Sequence, residues 1–79
     1  MVLIEHIEKF VEDRPDLFPG TQREETLARA REKGENPIMS GAVRDFLGEE
    51  KSDLLFQLVE SNSAYLKLSA DYITTHVET

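Results

Sequence analysis

The chain has 79 residues and no cysteine, and its 16 acids against 9 bases give a formal charge of −7. That length allows one domain at most, and the missing thiols exclude disulfides, thiolate metal sites and cysteine nucleophiles. The charge disfavours nonspecific binding to nucleic acid or to an anionic membrane, because phosphates would meet a repulsive field.

The first predicted element is a helix from Val2 to Asp13. Leu3, Ile4, Ile7, Phe10 and Val11 share an arc of roughly 120° at ~100° per residue, and Glu5, Glu8, Lys9 and Glu12 face away. The apolar start is followed at once by acids, so a signal peptide is not expected. Pro15 disfavours helix at Arg14 and ends the element. Asp16 to Gly20 reads as a turn, with Leu17 and Phe18 tucked into the core.

Thr21-Gln22-Arg23-Glu24 fits a capping box and opens a second helix, which Gly34 stops. Leu27 is its one large apolar residue, with Ala28 and Ala30 beside it, so this helix has a thin apolar face. Its Arg23, Arg29, Arg31 and Lys33 alternate with Glu24, Glu25 and Glu32, the pattern of a solvated, ion-paired surface. Residues 35–39 form a loop around Asn36-Pro37. Ser40 then opens a short helix that ends at Gly48, with Val43, Phe46 and Leu47 as its buried side. A helix-turn-helix reading of Thr21 to Gly48 is weak, because the Gly34–Met39 connection is long and Arg44 is the only base on the second helix.

The run from Asp53 to His76 carries the strongest signal. As one helix it places Leu54, Leu55, Leu58, Val59, Tyr65, Leu66, Leu68, Tyr72 and Ile73 on one half of the cylinder, a stripe wide enough to require other helices over it. In heptad register with Leu55 at position a, Asn62, Ser69 and His76 also fall at a, and Leu58, Tyr65 and Tyr72 at d. Asn62 paired with its copy across a dimer axis would set register. The alternative is a break at Ser61-Asn62-Ser63 with Ser63 capping a separate last helix, since these residues compete with the helical backbone. Phe56 falls on the polar side. Beside Phe46 it would seed an exposed contact patch.

Catalytic and metal patterns are missing. Neither His6 nor His76 has a ligand-type partner one turn away, no Ser-His-Asp order appears, and the four glycines sit near helix boundaries. No catalytic, cofactor or metal-binding residue and no small-molecule substrate is expected.

The fold expected is all-α, a single domain over residues 1–79: a three- to four-helix bundle with a long C-terminal helix. Chains of this size bury only about 60% of their unfolded surface, and oligomerisation is the remaining way to stabilise one without thiols or metals. A homodimer and a protein partner are therefore expected, the acidity being compatible with a basic one, in the cytoplasm, without direct contact with nucleic acid or membrane. The function expected is that of a non-catalytic interaction module (adaptor, assembly factor or regulatory subunit). Its partner-binding residues would be Phe46, Phe56, Leu58, Asn62, Tyr65, Leu66 and Tyr72, since aromatics tend to carry interface energy. The alternative is an acidic inhibitor or antitoxin-like protein that blocks the basic nucleic-acid site of a target. Glu35, Asp45, Glu49, Glu50, Asp53 and Glu60 would then stand in for phosphates.

Overall fold

In the computed structural model, the backbone of residues 2–77 and the side chains of residues 2–75 are described. The described residues form five α-helices: α1 (Ile4–Asp13), α2 (Gln22–Glu32), α3 (Ser40–Leu47), α4 (Glu49–Ser61) and α5 (Ser63–Val77), with a 3-10 turn at Pro15–Leu17. No strand appears among the described residues. Extended pairing among them is limited to a single antiparallel bridge between Val2 and Ile38.

The core lies where α1 meets the other helices. Leu3, Ile7, Phe10 and Val11 of the α1 stripe are all buried, as are Val43, Leu47, Leu55 and Val59 from α3 and α4. The turn after α1 supplies Phe18, whose ring meets Phe10 edge-to-face at 5.6 Å. Leu17 is only half-buried. Lys51 of α4 places its Nζ 4.8 Å from the Phe18 centroid and covers the aromatic pair from outside.

Two helix starts depart from the sequence expectation. Thr21 sits in helical conformation and makes no side-chain bond to an amide of α2. Its hydroxyl donates instead to the Glu25 carboxylate at 2.9 Å, so the capping box does not form. The first turn of α1 has no Ser, Thr, Asp or Asn before it, yet its amides are satisfied from elsewhere. His6 Nδ1 accepts from the Leu3 amide at 3.0 Å, and Asn36 Oδ1 accepts from the Ile4 amide at 3.2 Å. A donor lacking a local cap has thus been satisfied by a loop more than thirty residues away, as buried amides require.

The larger correction concerns the C-terminal run, which is two helices. Asn62 adopts extended backbone angles (φ −85°, ψ 125°) between α4 and α5. Its Oδ1 accepts from the Ala64 amide at 2.9 Å, so it caps α5, and Ser63 is the first helical residue. Asn62 is exposed, and its side chain is used within its own chain. The reading of Asn62 as a polar position inside one continuous apolar face therefore does not hold. The His76 side chain, read as the last member of that column, lies outside the described side chains. At Gly48 (φ +86°) the chain turns sharply from α3 into α4, a backbone angle that suits glycine.

Candidate interaction surface

Helix α5 is held by one side. Tyr65 is 1% exposed and is the largest fully buried side chain. Its hydroxyl donates to Asp13 Oδ2 at 3.0 Å, and its ring stacks on His6 at 5.9 Å between centroids. Lys9, ion-paired with Asp13 at 3.6 Å, lies 5.7 Å from the same ring. Burial, helped by the hydrogen bond to the Asp13 carboxylate, pushes the Tyr65 phenol above its ordinary value, so it stays a neutral donor at physiological pH. Two helical turns on, Tyr72 donates its hydroxyl to the Asn36 carbonyl. Tyr65, Leu68, Ser69 and Tyr72 thus form an inner face turned toward α1 and the 35–39 loop.

A second face of α5, about 120° round the helix from the first, is bare. Leu66 is 45% exposed and Ile73 48%, two of the three large apolar side chains left open among the described residues. Ala70 between them is exposed as well. On a helix at ~100° per residue these three fall within roughly 60° of arc. Ser63, Leu66, Ala70 and Ile73 follow alternating steps of three and four, the spacing of a coiled-coil seam. This register differs from the one built on Leu55, because the break at Asn62 resets the helix. Lys67 and Asp71 are the only charged side chains on α5 among the described residues.

The residues expected at a partner surface therefore separate. Leu66 is open. Tyr65 is not: it packs inside its own chain, and its expected outward role is corrected by that burial. Tyr72 is half-buried against the 35–39 loop, and Leu58 is half-buried against the core. Phe46 and Phe56, also half-buried, do not form one patch. Phe46 lines an open hollow with Arg29, Glu32, Lys33 and Asp45, whereas Phe56 lines another with Val2, Ser40, Arg44, Val59 and Glu60. The Arg44 guanidinium covers the Phe56 ring at 5.3 Å.

Arg44 also reorganises the acids. It lies 2.9 Å from Asp53 and 3.9 Å from Glu49, so two of the six proposed phosphate stand-ins face a base of their own chain. Among the described residues no group of three or more His, Cys, Asp or Glu is arranged to hold a metal ion, and no helix is long and apolar enough to cross a membrane.

His6 and Asn36 were not anticipated as organising residues. His6 sits at the edge of the α1 stripe, and its burial was visible only as a position. Asn36 has no local signal at all: its partners are Ile4, Glu5 and Tyr72, all remote in sequence. Comparison with known proteins adds nothing to this geometry, since no family model, characterised protein or solved structure matches the chain significantly.

Proposed function

We propose that the chain is a non-catalytic interaction module that docks a helix on the outer seam of α5, with a second copy of itself as the first occupant. The observation that carries this reading is the exposure of Leu66 and Ile73, seven residues apart with Ala70 between them. Apolar side chains scattered singly are ordinary, but a 3-4 spaced row on one helix face is a docking pattern. The seam also suits self-association. The chain carries −7 overall, yet α5 bears one base and one acid among its described residues, so two copies meet there without local repulsion. Its fifteen residues span roughly 22 Å, less than a standard interface occupies. Association is therefore weak and concentration-dependent.

The test is sedimentation equilibrium over a wide concentration range for the wild type and a Leu66→Asp/Ile73→Asp variant. The wild type should show a monomer–dimer equilibrium, and the variant should stay monomeric with an unchanged melting temperature, since both side chains lie outside the core. A wild type that is monomeric at every concentration removes the second copy as occupant.

The acidic-inhibitor reading has less support, because Arg44 already pairs with Asp53 and Glu49. The two readings differ in salt response: apolar seam docking should change little with ionic strength, whereas phosphate mimicry should weaken steeply.

A further inference from the structure

His6 is fully buried at the contact between α1 and α5. Its Nδ1 accepts from the Leu3 amide at 3.0 Å. A backbone N–H can only donate, so that nitrogen carries no proton and the ring is the Nε2-protonated neutral tautomer. Nε2 then donates to the Tyr65 carbonyl at 2.9 Å, and Ser69 Oγ lies 3.2 Å from the same nitrogen. The ring thus bridges the first turn of α1 and the first two turns of α5. A second proton on Nδ1 would face the Leu3 N–H, two donors pointed at each other, and would place a charge in the core.

The charged surroundings offer little compensation. Glu5 on α1 favours the protonated ring, but its carboxylate is held by the Asn36 amide at 3.0 Å. Lys9 and Asp13 on α1 pair with each other beside Tyr65. Among the described side chains of α5, the ring meets the uncharged Tyr65 and Ser69.

We propose that His6 is a proton-operated latch: protonation of its ring at mildly acidic pH breaks the α1–α5 joint and lets α5 swing away about Asn62. The pivot exists because the backbone at Asn62 is extended and exposed, and α5 is held against α1 and the 35–39 loop by the His6–Tyr65 carbonyl bond and by its own Tyr65 and Tyr72 side chains. Released, α5 would present Tyr65, Leu68 and Tyr72 as well as Leu66 and Ile73. The latch is a property of the single chain and does not rest on the docking reading above.

Desolvation is the main force on the ring and lowers its proton affinity below the ordinary value of 6.5. The docked state therefore binds fewer protons than the released one. Its stabilisation is fully present above about pH 6.5 and is lost as pH falls below that value. The loss is at most roughly tenfold in the docking equilibrium per pH unit.

The experiment is NMR on dilute protein between pH 7.5 and 5.5: imidazole nitrogen shifts for the tautomer, and amide hydrogen exchange corrected for its intrinsic pH dependence. The expected result is a neutral Nε2-protonated His6 at pH 7.5. Below pH 6.5, α5 amides should lose protection while those of α3 and α4 keep theirs. His6→Gln retains a neutral acceptor and a donor, so its α5 protection should be flat with pH, and His76→Gln should behave as wild type. The proposal is overturned if His6 titrates at its ordinary value while α5 protection stays constant, or if His6→Gln shows the wild-type loss. Should His6→Gln not fold, the wild-type tautomer and exchange profile decide alone.

Discussion

At the scale of single residues, Tyr65 does the work of several. It fills the largest buried volume, stacks on His6, receives a cation on its ring and donates to Asp13. These contributions separate experimentally. Tyr65→Phe keeps the ring and loses only the bond to Asp13, whose carboxylate is exposed and returns to water. The expected cost is about 0.5–1.5 kcal/mol. For a domain of this size each kcal/mol lowers the melting temperature by roughly 4–8 °C, which scanning calorimetry resolves. Tyr65 also shows why an aromatic on a stripe is ambiguous from sequence: spacing places it on an apolar face, but only the fold says whether the face is covered by the chain itself or by a neighbour.

Among the elements, the joint between α4 and α5 sets the arrangement. Asn62→Ala removes the oxygen that accepts from Ala64 and should cost about 1 kcal/mol, typical of a lost N-cap. A lower melting temperature with undiminished helical circular dichroism would check it, since alanine favours helix at the junction. Most helices were legible because their limits rest on local chemistry: Pro15 after α1, Gly34 after α2, and Ser40 and Gly48 around α3. The α1 stripe was legible too, because five apolar residues at helical spacing have one sensible place to go. The continuity of the last segment was not. Ser61-Asn62-Ser63 allows helix or break, and propensity alone leaves the two close. The structure takes the break because it turns Tyr65 and Tyr72 inward, toward His6 and Asn36. Those long-range partners carry no periodic signal. The Thr21 motif failed for the opposite reason: its hydroxyl had a second partner available in Glu25.

For the whole molecule, the apolar surface divides into two unequal parts. The C-terminal stripe looked like more than one chain could shield, and the break at Asn62 resolves most of that excess internally. Leu55, Val59 and Tyr65 are buried, and Leu54, Leu58, Leu68 and Tyr72 are half-covered. What remains is the narrow row of Leu66, Ala70 and Ile73. That remainder sets the scale of the self-association proposed above as weak and reversible. The charge follows a similar division. Exposed acids line α1 and α4, while the described part of α5 is nearly neutral, so charge crowds one part of the surface and leaves another part fit for close approach.

The Asn36 contacts link events that are distant along the chain. One side chain reaches the opening amide of α1, and its own carbonyl receives the Tyr72 hydroxyl from α5. The peptide just before it, at Lys33-Gly34, is exposed and offers a cleavage site for trypsin. Cutting there requires the loop to leave its seat, which Tyr72 helps to hold. Limited digestion after Lys33 at one fixed pH is therefore a gauge of α5, and Tyr72→Phe, which removes the hydroxyl bond to the loop, should accelerate a cut about thirty residues upstream of the last helix.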